Sequence, residues 1–260
     1  MDALHWLGEP PAMSAAALAF RFRVFLFVLL YALGFLPPWD FSSGSRSTFW
    51  LGASTLLARS GWISLATATL SVTVVALACL VAGAGLRIWG TAYLGYGVMR
   101  DSALHGEGLV AAGPYRHLRN PLYLGAWLLA LGTSIVMPLD GALFFLPAIS
   151  IFVLVLITTE ERFLSAKLGD AYQQYRRLVP RLFPRFAAGA APATARPQWL
   201  QAVLAETYPI AFALSFAVLA WRYNARLLIQ CLLICYGVSL IVRAVMKRPV
   251  ATVEGLSTQG

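Results

Sequence analysis

The sequence predicts an all-α integral membrane protein, a helical bundle of about six membrane-spanning helices. Its composition is the first observation: of 260 residues, 59% are hydrophobic and only 12% are charged, whereas a soluble domain is about 45–50% apolar and about 25% charged. The second observation is that the apolar residues form long runs separated by basic segments. One soluble core could not hide so much apolar surface, so we expect lipid to surround the folded chain.

Two apolar runs come first along the chain. The first predicted span covers about 24–39, follows a pair of arginines and ends at two consecutive prolines, because proline cannot continue a helix. The segment 40–60 is rich in Ser and Gly, and we expect its short apolar patch at 49–57 to lie on the membrane interface. The second span is predicted over about 62–84, where Ala, Thr and Val dominate.

A helical hairpin follows the mixed polar loop predicted over 86–120. The third span is predicted over about 122–137 and the fourth over about 142–159. Only Pro138-Leu139-Asp140-Gly141 separates them, and this composition is typical of a tight turn. The two helices are therefore expected to be antiparallel neighbours, which brings the start of the third span and the end of the fourth to one membrane face.

An amphipathic stretch begins where the fourth span ends. Over 160–179 the apolar residues recur at steps of three and four, the spacing of one helical face, so we expect a cytoplasmic helix that lies at the membrane surface. A Pro/Ala/Gly-rich linker covers 180–197, and two last spans are predicted over about 203–220 and 227–242. The apolar face of the amphipathic stretch consists of Leu164, Leu168, Tyr172, Tyr175 and Val179.

The basic residues indicate how the chain crosses the membrane. The formal net charge is +9, and the positive-inside rule places Lys and Arg in cytoplasmic segments. With both termini in the cytoplasm, all but four of the twenty Lys and Arg lie inside, a bias typical of a bacterial-type inner-membrane protein. No stacking or groove-reading module accompanies the charge, so nucleic acid is not an expected partner. The four outside are Arg46, Arg59, Arg222 and Arg226.

The first unusual polar cluster lies at the entry to the third span, in Gly113-Pro114-Tyr115-Arg116-His117-Leu118-Arg119-Asn120-Pro121-Leu122-Tyr123-Leu124-Gly125. Pro121 suits the first turn of a helix, and Asn120 before it suits the capping position. The free N–H groups of a helix start attract an anion such as a carboxylate. Interfacial aromatic and basic anchors on a capped helix would give the same pattern without any ligand.

The second polar cluster is the pair Glu160-Glu161 at the end of the fourth span. Carboxylates are costly near a membrane unless water or a partner meets them. A pair of solvated surface acids is the alternative to a functional site. The short turn between the third and fourth spans brings this pair to the face that carries the first cluster, so the two clusters are expected to form one site.

The order of these motifs resembles the isoprenylcysteine carboxyl methyltransferase family, which belongs with the phospholipid N-methyltransferases to a wider class of membrane methyltransferases. The resemblance covers roughly 85–185. It is carried by Gly85-Leu86-Arg87 with Trp89, the segment GPYRHLRNPLYLG, the helical hairpin, the Glu160-Glu161 pair, Gly169-Asp170 with Tyr172 and Tyr175, and Val179-Pro180-Arg181.

The resemblance implies S-adenosylmethionine as the cofactor, bound at the cytoplasmic face and reached from the bilayer by a lipid-like or amphipathic acceptor. From the chemistry of methyl transfer, the expected catalytic residues are Glu161, a proton acceptor for an amine substrate (a role that His105 could share), and Arg119, a partner for an acceptor carboxylate. The cofactor-binding residues carried over from the family are Leu109, Val110, Tyr115, Asn120, Pro121, Leu122, Tyr123 and Glu160.

Two positions depart from the family pattern. Asn120 stands where the family has histidine, and an amide keeps hydrogen bonding but cannot titrate. Leu156 stands where the family has an arginine for the substrate carboxylate, one helical turn before Glu160. Because leucine offers only apolar contact, we expect this chain to be a poor carboxyl methyltransferase of prenylcysteine.

The leading functional prediction is an S-adenosylmethionine-dependent membrane methyltransferase of the isoprenylcysteine type. A phospholipid or amine N-methyltransferase and a non-catalytic membrane protein are the alternatives. The three cysteines form no CxxC pair, so no metal site is expected. The predicted organisation is 1–84 with two spans, 85–185 as the methyltransferase core, 186–198 as a linker, 199–248 with two spans and 249–260 as a tail.

Overall fold

A computed structural model describes residues 15–39, 47–94, 111–185 and 196–222, with six single positions between 230 and 241. These parts of the chain are helical and contain no β-strand, only an isolated bridge between Thr48 and Pro138. Short 3-10 turns lie at Gly113–Arg116 and Ser134–Val136. The α-helices are α1 (Ala15–Arg21), α2 (Arg23–Phe35), α3 (Phe49–Arg59), α4 (Leu65–Leu94), α5 (Pro121–Thr133), α6 (Leu139–Leu178), α7 (Trp199–Ala205) and α8 (Thr207–Arg222).

Two of these helices, α4 and α6, are long and apolar enough to cross a membrane. The pair α7 and α8, bent by 67° at its break, qualifies as a third if it forms one span, while Arg23–Phe35 and Pro121–Val136 are shorter apolar helices. The predicted all-α architecture with apolar spans is therefore confirmed. The number of six spans stays a prediction, and most of the last one, at 227–242, falls outside the described residues.

Several predicted boundaries were wrong. Helix α4 continues to Leu94, past the predicted end at 84, because the apolar residues after Gly85 contain no proline to stop it. Helix α6 joins the fourth predicted span to the amphipathic stretch in one helix of 40 residues, interrupted at Gly169 with φ 54°. A positive φ of this size is readily adopted by glycine, so the break falls where the sequence tolerates it.

The apolar patch predicted for the membrane interface forms α3. Its first turn is capped by Thr48, whose Oγ1 accepts a hydrogen bond from the Leu51 N–H at 3.3 Å. The indole N–H of Trp50 donates to the Thr69 carbonyl at 3.3 Å and to the Thr73 hydroxyl at 3.0 Å. The patch is thus packed against α4.

Small residues allow α4 and α5 to touch along their backbones. A Cβ added at Gly83 would lie 2.7 Å from the Gly125 carbonyl oxygen, and one added at Gly125 would lie 2.8 Å from the Gly83 carbonyl oxygen. Close helix contact through glycine is common in membrane proteins. This contact fixes the first turns of α5 against the second half of α4.

Helix α2 packs antiparallel on α6. The ring of Tyr31 lies 4.8 Å from that of Phe145, and the ring of Phe27 lies 5.0 Å from that of Phe152. The register continues toward the start of α2, so Arg23 reaches the part of α6 that contains Glu160. The charge of Arg23 indeed acts on Glu160. Sequence reasoning had given the first span no part in the site.

Candidate active site

The two polar clusters of the sequence meet at one end of the hairpin formed by α5 and α6. The Asn120 side-chain amide donates to the Glu161 carboxylate at 3.1 Å. The hairpin turns at Met137 and Pro138, and across it the Trp127 indole N–H donates to the Ser150 hydroxyl at 2.9 Å. The convergence expected from the short turn is therefore observed.

Glu161 is a buried carboxylate held by two guanidinium groups. Its side chain lies within 3.0 Å of Arg119 Nε and 2.7 Å of Arg181 Nη2, and Arg181 Nε donates a further bond at 3.0 Å. Only 3% of the residue is exposed. Burial alone would raise the pKa of Glu161, but the hydrogen bonds from Arg181 and Asn120 and the charges of both arginines lower it overall. The Glu161 carboxylate is therefore ionised, and both of its oxygens accept hydrogen bonds from arginine side chains.

Arg119 is occupied by internal contacts on both sides. Besides the bond to Glu161, its Nη1 donates to the carbonyls of Arg176 and Val179 at 2.9 and 3.2 Å. Its backbone N–H donates to the Pro180 carbonyl at 2.9 Å. Arg119 thus fastens the segment before α5 to the end of α6. The sequence led us to expect that the Arg119 guanidinium binds an acceptor carboxylate. In the structure its Nε donates to Glu161 and its Nη1 donates to the carbonyls at the end of α6.

The sequence pointed to Val179-Pro180-Arg181 without giving it a role. In the structure the Arg181 carbonyl accepts from the Asn120 amide at 3.1 Å, while its guanidinium holds Glu161. Asn120 makes no side-chain capping bond at the start of α5, so the predicted capping role was wrong. Its amide instead joins Glu161 to the 179–181 segment.

The apolar face predicted for a surface helix is buried against the site. Tyr172, Tyr175 and Val179 form a cluster with Ala111, and each of the three is at most 6% exposed. The Tyr175 hydroxyl donates to the Tyr115 carbonyl at 2.7 Å. This part of α6 therefore covers the 111–116 segment rather than presenting its apolar face to the membrane surface.

A second polar group surrounds Glu160. The Tyr123 hydroxyl hydrogen-bonds to the Glu160 carboxylate, and the charge of Arg23 acts on both. Tyr115 lies close enough to feel the Glu160 charge. Its hydroxyl is buried and has no hydrogen-bond partner among the described residues. A buried hydroxyl left unsatisfied costs free energy, so this arrangement is suited to a polar ligand that completes it.

The other predicted cofactor residues lie around this group or outside the described chain. Pro121 begins α5, and the Leu122 side chain packs against Gly90 of α4. Leu109 and Val110 fall outside the described residues, as does His105. Within the described ranges no group of three His, Cys, Asp or Glu side chains is arranged to hold a metal ion.

Leu156, the residue in place of the family arginine, is fully buried with 0% of its surface exposed. It is therefore a packed side chain on α6. It lies one helical turn from Glu160 and brings no charge to that turn. The polar groups of the site come instead from α2, from the segment before α5 and its first turn, from the middle of α6 and from the segment after α6.

Part of the chain matches a known protein family. The phospholipid methyltransferase family model matches residues 50–171. Over this segment the chain is similar to membrane methyltransferases. The matched segment includes Tyr115, Tyr123 and both glutamates, so the resemblance predicted from the motifs is confirmed.

Three curated relatives match parts of the chain. A protein-S-isoprenylcysteine O-methyltransferase of Schizosaccharomyces pombe is 39% identical over 77 residues, 29% of this chain and 33% of the relative. The methanethiol S-methyltransferase 2 of Bradyrhizobium diazoefficiens is 39% identical over 89 residues, 34% of each chain. The cobalt-zinc-cadmium resistance protein CzcN of Cupriavidus metallidurans is 31% identical over 144 residues, 52% of this chain and 59% of the relative.

These matches are partial. The chain spans about a third of the length of the first two relatives. No solved structure matches it.

Proposed function

We propose that this protein is a membrane methyltransferase that transfers a methyl group from S-adenosylmethionine to a lipid-like or amphipathic small acceptor. The observation that carries the proposal is the buried group of Glu160, Tyr123 and Tyr115 at the end of the α5–α6 hairpin. The Tyr115 hydroxyl in this group has no partner among the described residues. The family match over 50–171 supports the same reaction class.

The side chains of this group fit the chemistry of the cofactor. A carboxylate such as Glu160 can receive the ammonium group or the ribose hydroxyls of S-adenosylmethionine through charge-assisted hydrogen bonds. The rings of Tyr115 and Tyr123 can attract a sulfonium cation by cation–π interaction. Leu109, Val110, Asn120, Pro121 and Leu122 are proposed to complete the binding segment, on the strength of the resemblance alone.

When bound, the cofactor supplies an electrophilic methyl group, and the transfer is an in-line displacement. Such a reaction depends on alignment and on the exclusion of water. Tyr172 and Tyr175 cover the 111–116 segment from the side of α6, which limits the access of water. The protein's own contribution is therefore to hold and shield the reacting groups.

For Arg119 and Glu161 we propose positioning roles in place of the acceptor contact and the proton transfer expected from the sequence. Both Glu161 oxygens accept bonds from guanidinium groups, and its pKa is lowered, which makes it a weak proton acceptor. The contacts of Arg119 with 176–180 fix the segment that carries Asn120. Together they hold the start of α5 in place relative to α6.

The acceptor is proposed to be uncharged at its reacting end. The fully buried Leu156 brings no cation for a carboxylate, which argues against prenylcysteine carboxyl methylation. A thiol is one candidate acceptor, because two of the relatives are named methanethiol S-methyltransferases. The amine of a phospholipid is another, in keeping with the name of the matching family.

The proposed membrane arrangement has six spans with both termini in the cytoplasm. The site then faces the cytoplasm of a bacterial-type inner membrane, next to the lipid bilayer from which a lipid-like acceptor enters. The proposed methyltransferase core is 85–185, with two spans before it in 1–84 and two after it in 199–248. The charge bias of the loops supports this orientation.

The proposal is tested by incubating the purified protein in detergent with methyl-labelled S-adenosylmethionine and three acceptors. These are a short-chain thiol, phosphatidylethanolamine and N-acetyl-farnesylcysteine. We expect label in a thioether or a methylated amine, and little or no base-labile methyl ester. Absence of label in every product, with a protein that is folded by thermal melting, would contradict the proposed reaction for these acceptor classes.

A further inference from the structure

Glu206 is a fully buried acid in the part of the chain that follows the proposed core. It lies at the break between α7 and α8, where the two helix axes are bent by 67°, and 0% of its surface is exposed. The family match ends at 171 and does not include this residue. Buried acids in a membrane protein are costly unless they are paired, and they often mark function.

The partner of Glu206 is Arg87 on α4. Arg87 Nε donates to one carboxylate oxygen at 2.7 Å, and Nη2 donates to the other at 3.0 Å. The Thr91 hydroxyl, one turn further along α4, donates to the second oxygen at 2.8 Å. This two-pronged pairing fixes the direction of the guanidinium as well as its position.

Arg87 in turn lies against the first turns of α5. A Cβ added at Gly125 would be 2.6 Å from Arg87 Cγ, so the aliphatic part of the arginine is packed on this helix. The remaining guanidinium nitrogen, Nη1, donates a long bond to the Leu122 carbonyl at 3.4 Å. Leu122 stands directly before Tyr123, whose hydroxyl meets Glu160.

The Arg87–Glu206 ion pair is expected to contribute little to the attachment of one helix to another. Replacing a buried ion pair by well-packed apolar residues is often neutral or stabilising, and α4 already packs on α8 through Leu80 and Phe216. What the ion pair adds is a fixed orientation of Arg87 beside the start of α5. That orientation places Arg87 Nη1 within hydrogen-bond distance of the Leu122 carbonyl, one residue before Tyr123.

We propose that Glu206 is a positioning residue for the methyltransferase site, which acts through Arg87 to hold the Leu122–Tyr123 backbone where the Tyr123 hydroxyl meets Glu160. The inference rests on the proposed function, because it assigns the helices after the core a part in binding S-adenosylmethionine. The α7–α8 pair then contributes to the cofactor affinity of the protein.

The test compares cofactor affinity with thermal stability in three variants of the full chain. Glu206→Gln removes the charge, and Arg87→Met/Glu206→Leu removes both charges while keeping apolar packing. Phe216→Leu is the matched control, since it weakens the packing of α8 but leaves the ion pair intact. Each is titrated with S-adenosylmethionine in a calorimeter and melted in the same detergent.

We expect Glu206→Gln and the double variant to bind S-adenosylmethionine about tenfold more weakly than wild type, because small displacements in a site are costly. Phe216→Leu should lower the melting temperature and leave the affinity unchanged. The double variant is the sharper of the two, since it should melt at or above the temperature of Glu206→Gln and still bind weakly. It also gives the answer if Glu206→Gln does not fold.

Wild-type affinity in the double variant would overturn the positioning role and leave the proposed function standing. An equal loss of affinity in Phe216→Leu would also overturn it, since the loss would then follow from loosened packing. If wild-type protein binds no S-adenosylmethionine, the proposed function fails and this inference fails with it.

Discussion

Replacing Glu161 by glutamine should destabilise the protein strongly, because it leaves a buried arginine without its counterion. Arg119 is the main contributor: its side chain is 9% exposed and lies 3.0 Å from the carboxylate. Arg181 is 40% exposed, so water screens it and its share is small. Breaking a buried pair by removing one partner costs about 3–5 kcal/mol. Since one of the two cations is well solvated, we expect a loss near the lower end, about 3 kcal/mol.

The loss can be measured as a shift of the thermal melting curve in detergent. For a chain of this size 1 kcal/mol corresponds to about 2–4 °C, so Glu161→Gln should melt about 6–12 °C below wild type. Glu160→Gln is the matched control, because it makes the same change in the neighbouring residue outside the two-arginine contact. Heating rates must be equal, since unfolding of such proteins is often irreversible.

The same ion pairs predict a dependence on pH. The folded pKa of Glu161 is lowered from the ordinary value of 4.5, so its contribution to stability is complete above pH 4.5. The contribution is lost as the pH falls from 4.5 through the folded pKa. Wild type should therefore lose melting temperature in acid faster than Glu161→Gln. Equal melting temperatures of wild type and Glu161→Gln at neutral pH would refute the account of Glu161 as a paired, buried carboxylate.

Three further predictions follow from the site and the packing around it. Glu160→Ala should weaken S-adenosylmethionine binding by about 1–3 kcal/mol, the range for a lost charge-assisted hydrogen bond, as measured by calorimetry on protein with a normal melting curve. Gly125→Ala should lower both the melting temperature and the cofactor affinity, because the added Cβ would meet Arg87 and the Gly83 carbonyl. Gly85→Ala is the control and should leave both unchanged, because open space surrounds Gly85. Offered N-acetyl-farnesylcysteine and labelled S-adenosylmethionine, the wild type should form little base-labile ester. Brisk ester formation would show that a cation elsewhere in the site holds the carboxylate in place of the arginine that Leu156 replaces.

The hairpin and the meeting of its two polar ends could be predicted from the sequence. Two apolar runs with only four residues between them must lie side by side, so the segment before the first run and the glutamates after the second had to come together. The bond from Asn120 to Glu161 is the direct result. The spacing of Tyr172, Tyr175 and Val179 likewise gave the buried face of α6, although its partner was the site segment and not the membrane.

The pairs that join distant parts of the chain could not be predicted. Arg87 and Glu206 are separated by more than a hundred residues, and their meeting depends on how α4 packs on the bent pair α7 and α8. Arg23 reaches Glu160 only because α2 packs antiparallel on α6. The periodicity of one helix gives its buried face but not the identity of the helix that covers it.

The role of Asn120 was misjudged for a related reason. Its place before Pro121 is that of a capping residue, and local sequence contains no sign of a competing partner. The partner, Glu161, comes from another helix and brings two arginines with it. The bonds that the Asn120 Nδ2 donates to Glu161 and to the Arg181 carbonyl set the orientation of the side chain, whereas capping would require its Oδ1 to accept from an N–H of the first turn.

The central claim is that S-adenosylmethionine binds at Glu160, Tyr123 and Tyr115. The most direct measurement is a calorimetric titration of purified wild type, Glu160→Gln and Tyr123→Phe with S-adenosylmethionine, in detergent and at one salt concentration. The account predicts saturable binding to wild type and weaker binding to both variants, with Glu160→Gln the more affected because it loses a charge. Wild-type affinity in both folded variants would contradict it and place the cofactor elsewhere.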